Sequence, residues 1–341
     1  MFRYLGTFVL TVSLLINASA LLAGQGKGDI TYQERMEMFL KLDPRVRKVP
    51  VIPPKGERIR VVIDTDTRNE IDDVWAVTLA ILSPERFKIE GFVAANFDNQ
   101  KGGPDGIEAS ADLIETILDK AGMAGKWPIK RGSHPMQYQY EPGRSEGVDF
   151  IIERAMAGDP SDPLWVVGLG ASTDIASAIL IEPAIVDRVV VFWHFRTKWP
   201  KQCHNFNVFN DTRAARIVFH SPFSFVLFDT GTYLTCPMKE SACFASYGQL
   251  GKYLHEYRYK SAYYQKPTKG FFDLGDIAAL VEPDLASWEV TACPDVEKNL
   301  DYQFRGTKGS ILRCYDIDRD RTFKLLGSKL KAHANRTEAV K

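Results

Sequence analysis

The apolar run Val61-Val62-Ile63 passes directly into Asp64-Thr65-Asp66-Thr67-Arg68-Asn69-Glu70-Ile71-Asp72-Asp73, and this junction constrains the fold more than any other stretch. A short β-branched run bounded by polar residues reads as a buried strand, and Val74 to Leu82 reads as the helix after it. Four Asp side chains then crowd the carboxyl end of a strand, where open α/β sheets bind their ligands. Carboxylates this close raise one another's pKa unless a cation neutralises them. A hard divalent ion held by oxygen satisfies such a cluster, and Ca²⁺ suits flexible carboxylates better than Zn²⁺ does. A helix N-terminus also attracts negative charge, but one or two acids would meet that need.

The alternation continues along the chain. Strands are expected over 60–63, 88–95, 128–131, 164–168, 188–193 and 224–228, with helices over 72–82, 106–121, 147–157, 173–181 and 212–219. Strands alternating with helices build right-handed βαβ units, so the expected class is α/β with a mostly parallel open sheet flanked by helices. A helical region at 240–264 and a helix at 274–281 follow, and 302–304 and 313–324 read as short antiparallel strands. No Pro/Gly/Ser linker divides residues 58–335, which are expected to form one domain behind a leader at 21–57. Met1-Phe2-Arg3, the apolar stretch to Ile16 and Ala18-Ser19-Ala20 have the order of a cleaved signal peptide over 1–20. Export to the periplasm or the medium is therefore expected, with no membrane association after cleavage.

Lys and Arg number 43 against 43 Asp and Glu, which removes any electrostatic case for a nucleic-acid partner. The five cysteines are odd in number. Cys236 with Cys243 and Cys293 with Cys314 could pair in an oxidising compartment, or all could serve as buried apolar residues.

Other polar groups fall where strands end: Asn96 to Gln100, Ser172-Thr173-Asp174, His194 to Trp199, Asn205 to Asp211, and Asp273-Leu274-Gly275-Asp276. Each alone reads as a helix cap. Together they place amide and carboxylate groups around one sheet edge, a setting for a polyhydroxylated ligand.

These residues carry a resemblance. Asp64-x-Asp66 followed by Asp72-Asp73 is similar to the amino-terminal calcium signature of the inosine/uridine-preferring nucleoside hydrolases. Asn99-Gln100, Ser172-Thr173-Asp174-Ile175-Ala176, Phe206-Asn207-Val208-Phe209-x-Asp211 and Gly275-Asp276 resemble that family's later motifs, in its order, so the likeness spans 58–281. The resemblance implies calcium ligands at Asp66, Asp73, Asp276 and the Thr173 carbonyl. It makes Asp66 the base that activates water, and Asp72, Asn207 and Asn99 the groups that bind sugar hydroxyls. The reaction implied is hydrolysis of the N-glycosidic bond of a ribonucleoside or related riboside. The family usually forms homo-oligomers.

The departures lie on the leaving-group side. The segment 67–71 is longer than the family's turn, and its sugar-binding Glu falls on Asn205. Its late acid, a His, falls on Gly275, while Phe192-Trp193-His194 replaces a Met-Gly-Gly turn. His194, or else His204, is the expected replacement acid. Two other readings use the same residues. One is a non-catalytic, calcium-dependent sugar-binding protein. The other is a haloacid-dehalogenase-like phosphatase, in which Asp64 would attack phosphorus.

Overall fold

The computed structural model describes residues 30–97 and 105–339. The expected signal segment and Asn99 lie outside the described residues. The chain enters through α1 (Tyr32–Leu40), whose start is closed by a capping box between Thr31 and Glu34. This segment is tied to the body: Phe39 is buried, and the Arg47 guanidinium donates to the carbonyls of Phe219 and Ser221.

The body is organised by β1 (Ile59–Thr65), which is buried on both faces. Val61 and Ile63 join the hydrophobic cluster on one side of the sheet and Val62 joins the cluster on the other, as the two-residue period of a strand requires. The chain continues through α2 (Ile71–Ile81), β2 (Phe87–Ala94), α3 (Gly106–Lys120), β3 (Ile129–Arg131), α4 (Glu146–Met156), β4 (Leu164–Gly168), α5 (Thr173–Ile181) and β5 (Val189–Phe195). It then passes through α6 (Phe206–Asn210), α7 (Thr212–His220) and β6 (Ser224–Asp229). The small antiparallel pair of β7 (Thr235–Pro237) and β8 (Thr268–Gly270) encloses α8 (Met238–Phe244) and α9 (Gly248–Lys260). After α10 (Phe272–Val281) come β9 (Ala286–Ala292), β10 (Asp295–Val296), β11 (Tyr302–Gln303), β12 (Ser310–Ile317) and α11 (Arg319–Glu338).

The eight-stranded sheet runs β3-β2-β1-β4-β5-β6-β12-β9, parallel throughout except for the antiparallel edge strand β9. From β1 the chain winds outward to β3, then returns to β4 and winds the other way. Right-handed crossovers therefore place α2 and α3 on one face and α4, α5 and α7 on the other, and the two core clusters divide accordingly. Such a reversal opens a crevice between β1 and β4, at the carboxyl ends of the strands.

Several sequence expectations are corrected. The strand read over 313–324 ends at Ile317, where the Asp318 carboxylate accepts from the Arg321 N–H at 3.0 Å and starts α11. Phe323, Leu326 and Leu330 are buried at helical spacing, so burial along one helix face prevails over the strand reading. The strand β9 was not anticipated, because as a half-exposed edge it lacks a continuous apolar run. The helical region at 240–264 is two helices, broken before Gly248, which takes a φ of +68° that favours glycine. All five cysteines are free, four of them buried, so neither candidate disulfide forms. No helix among the described residues is long and apolar enough to cross a membrane.

Candidate functional site

A cavity of about 460 Å³ opens at the carboxyl ends of β1, β4 and β5, within the usual size range of small-ligand sites. One wall is built by the β1–α2 junction and the start of α10, which bring in Asp66, Asp72, Asp73 and Asp273. The Leu169 turn after β4 approaches this wall closely. A Cβ at Gly170 would lie 3.1 Å from Asp66 Cγ, so a glycine allows the approach.

Three of these carboxylates are held by hydrogen bonds. Asn69 Nδ2 donates to Asp66 Oδ2 at 2.9 Å, and Thr65 Oγ1 donates to Asp73 Oδ1 at 2.5 Å. The Phe272 N–H, at the start of α10, donates to Asp72 Oδ2 at 2.9 Å. Asp72, Asp73 and Asp273 present oxygens within 4.8 Å of one another. Burial pushes the Asp66 carboxyl up to about 7 despite the Asn69 hydrogen bond, with Asp72 and Glu70 adding to the rise. Asp73 and Asp273 are pushed well above the usual carboxylate range, first by burial and then by their acidic neighbours.

Next to this group stands a second one. His194 Nδ1 lies 2.6 Å from Asp276 Oδ2 and 3.3 Å from Asp273 Oδ1. Burial favours the neutral imidazole, but the charge and hydrogen bond of Asp276 outweigh it and raise the His194 pKa above its ordinary value. Asp276 is pushed up to about 6 by burial, a rise that His194 limits.

The sequence-derived residues divide accordingly. Asp66, Asp72, Asp73, His194, Asn205 and Asn207 line the cavity together. Asn207 Nδ2 donates to the Leu169 carbonyl at 2.6 Å, while the Asn205 side chain caps α6 by accepting from the Asn207 N–H at 2.8 Å. Thr173 is not among the lining residues. Its hydroxyl donates to Asp211 and accepts from Asn96, and its carbonyl opens the α5 ladder and points along that helix. Leu169, four residues earlier, does line the cavity, and its carbonyl accepts from Asn207, which lines it too. Asp276 does not line the cavity: Asp273 lines it with Asp72 and Asp73, while Asp276 is joined to His194, and His194, Asp273 and Asp276 also present ligand atoms within 4.8 Å of one another. Gly275 is not on the cavity either, since a Cβ there would meet Leu234 Cδ1 at 2.6 Å. His204 lines the cavity beside Phe209, with ring centroids 5.5 Å apart. The phosphatase reading fails at Asp64, which is 0 % exposed and does not line the cavity.

Buried oxygens without a hydrogen-bond partner among the described residues test whether a cation fits. Asp72 Oδ1, Asp276 Oδ1 and both oxygens of Asp64 are of this kind, around or directly behind the acidic wall. Asp72, Asp73 and Asp273, whose oxygens lie within 4.8 Å of one another, together with Asp66 on the same wall make an all-oxygen set with the chemistry of a hard divalent ion's site.

The model of the inosine-uridine preferring nucleoside hydrolases matches residues 61–324. The chain belongs to this family. It is 25% identical over 185 residues to the inosine-uridine preferring nucleoside hydrolase of Leishmania major, a stretch covering 48% of this chain and 58% of that protein. The homonymous protein of Crithidia fasciculata is 23% identical over 181 residues, 47% of this chain and 56% of its own length. The matched stretch thus spans little more than half the length of these relatives. Among solved structures, a plant nucleoside hydrolase superposes with a TM-score of 0.63 at 19% identity, covering 82% of this chain and all of that one (100%). The purine-preferring ribonucleoside hydrolase of Gardnerella vaginalis gives 0.62 at 18% identity, covering 81% of this chain and 99% of the other. At such identities the structural likeness establishes a nucleoside-hydrolase fold.

Of the cavity residues, sequence reading assigned no individual role to Leu169, Asn69, Arg196, Lys269 or Asp273, although Arg196 and Asp273 lie in segments read as polar groups at strand ends. The signal for Asp273 was present, since it opens a helix after a strand, but Asp276, three positions on, shares its helix face, so residue order does not choose between them. A backbone carbonyl such as that of Leu169 leaves no trace in residue identity.

Proposed function

We propose that the protein hydrolyses the N-glycosidic bond of a ribonucleoside or related riboside, with Ca²⁺ as its cofactor. The observation that carries this reading is the convergence of Asp66, Asp72, Asp73 and Asp273 with the Leu169 carbonyl and Asn207 on one cavity wall. Asp66, Asp73, Asp273 and the Leu169 carbonyl would hold the ion. When bound, it neutralises the cluster and lowers the pKa of water beside it.

The remaining chemistry belongs to the side chains. Asp66, oriented by Asn69, takes the proton of the attacking water as its oxygen closes on the anomeric carbon. Asp72 has one oxygen fixed by the Phe272 N–H and the other without a partner, which leaves it to accept from a sugar hydroxyl. Asn207 faces the same sugar. The C–N bond breaks with its electron pair leaving on the base, and carboxylates beside the sugar stabilise the positive charge that develops on it. His194, on the same cavity and anchored by Asp276, supplies a proton to the departing base. An exported location and a homo-oligomeric state belong to the same proposal.

A panel of ribonucleosides assayed with Ca²⁺ and with chelator tests the reading. Release of free base that depends on the ion supports it. Ribose binding without turnover on any member of the panel would leave the calcium-dependent sugar-binding protein instead.

A further inference from the structure

The cavity has a second wall of opposite character. Arg196 lies two residues beyond His194 at the end of β5, and both line the cavity. Its guanidinium carbon sits 4.0 Å from the ring centroid of Tyr233 and 4.7 Å from that of Phe272. Its Nε is buried and has no hydrogen-bond partner among the described residues. No ion pair joins Arg196 to a described residue, although five acids line the same cavity. The other cation there differs. Lys269 Nζ lies 3.1 Å from Glu70 Oε2 and donates to the Gly270 carbonyl at 2.8 Å, so its charge is met within the protein.

A guanidinium laid on aromatic faces keeps its N–H edge free, and that edge matches two oxygens of a carboxylate or phosphate at once. Arg196 is half-buried with Nε covered, so an anion in the cavity would take the place of water on its terminal N–H groups and meet a charge that no ion pair within the protein meets. Phe272 sets the distance to the chemistry. Its ring carries Arg196, and its N–H holds Asp72, the carboxylate assigned to the sugar. An anion on Arg196 is therefore within one side chain of a bound riboside.

We infer that Arg196 receives an anionic group of the substrate, a phosphate or a carboxylate, so that the protein acts on charged ribosides in preference to neutral nucleosides. This rests on the N-glycosidase reading and adds the substrate class to it. The acidic wall would take the sugar and the ion, and the Arg196 wall would take the anion, carried either at the 5′ position or on the leaving base.

The test measures kcat/KM of the full chain with Ca²⁺ on inosine, inosine 5′-phosphate and orotidine, for the wild type, Arg196→Gln and Arg196→Lys. The wild type should favour one anionic compound over inosine by about tenfold to a hundredfold, the range of a hydrogen bond to a charged group. Arg196→Gln should bring that ratio to about one, and Arg196→Lys should retain part of it. Preference for the 5′-phosphate places the anion on the sugar, and preference for orotidine places it on the base. Equal or better cleavage of inosine, or a ratio indifferent to Arg196→Gln, would overturn the inference while leaving the N-glycosidase reading intact. If none of the three is cleaved, that reading fails, and calorimetry still decides on the anion site. Tighter binding of ribose 5-phosphate than ribose, or of orotate than uracil, that is lost in Arg196→Gln supports it. Equal binding within both pairs overturns it.

Discussion

Asp276 lies three positions after Asp273, a rise of roughly 4.5 Å along a helix, and that rise decides which of them faces the cavity. A direct test follows from it. Asp273→Asn should abolish measurable Ca²⁺ binding by calorimetry on chelator-treated protein, whereas Asp276→Asn, one layer behind, should weaken it by about 10–100-fold. The reverse order would restore Asp276 as the ligand. For the base, Asp66→Asn preserves shape but removes the proton acceptor, so turnover on a cleaved riboside should fall by ~10²–10⁴-fold. Loss of ribose affinity with unchanged turnover would instead make Asp66 a sugar-positioning group. His194 calls for a paired measurement. His194→Gln should slow inosine hydrolysis far more than cleavage of p-nitrophenyl riboside, whose nitrophenolate departs without a proton. Equal slowing of both would mean that the imidazole steadies the carboxylates and gives no proton to the leaving group.

At the scale of elements, with Asp273 on the wall the position just before it is Phe272, which lines the cavity, while α10 seats Gly275 away from it. A Cβ there would lie 2.6 Å from Leu234 Cδ1 and 3.0 Å from Phe228 Cζ, inside the core. Gly275→Ala should lower stability by about 1–3 kcal/mol, read as a drop in thermal midpoint, because overpacking forces neighbours off their rotamers. An unchanged midpoint would show that the β6–α10 contact yields. The same helix marks the limit of what residue order conveys. Strands β1, β4, β5 and β6 were legible because burial on both faces leaves unbroken apolar runs, and the acid cluster was legible because four Asp concentrate in ten residues. What was not legible depends on depth along an element, on backbone or on tertiary pairing: the position along α10 that presents Asp273, the Leu169 carbonyl, and the pairing of His194 with Asp276. The edge strand β9 was hidden because its burial does not alternate, and the switch from strand to helix at Asp318 because the helical spacing of Phe323, Leu326 and Leu330 starts only beyond the strand's own apolar residues.

Across the whole molecule, the acidic wall ties stability to pH and to the ion. Asp66 is pushed up to about 7 and Asp276 to about 6, both above the ordinary value of 3.8 that applies once the chain unfolds. Between those values the folded chain binds more protons than the unfolded one, so the free energy of unfolding falls as pH rises. His194, also raised in the folded state, acts in the same direction, because its contribution is lost as pH climbs through its folded pKa. Ion-free protein should therefore melt at a lower temperature at pH 8 than at pH 5, and added Ca²⁺ should recover more of the midpoint at pH 8. Thermal scans with chelator and with Ca²⁺ at the two pH values check this. A higher ion-free midpoint at pH 8 would mean that the carboxylates are satisfied without a cation.

The two walls of the cavity stand on different foundations. Asp66, Asp72, Asp73 and Asp273 are buried at the junction of β1 with α2 and at the start of α10, whereas Arg196, His204, Asn205 and Phe209 belong to the segment after β5 and the short helix α6. Descendants of this chain can accept changes in the second group without disturbing the sheet, while a change in the first endangers folding itself. Bond cleavage is thus inherited together with the architecture, and the identity of the released fragment is free to drift.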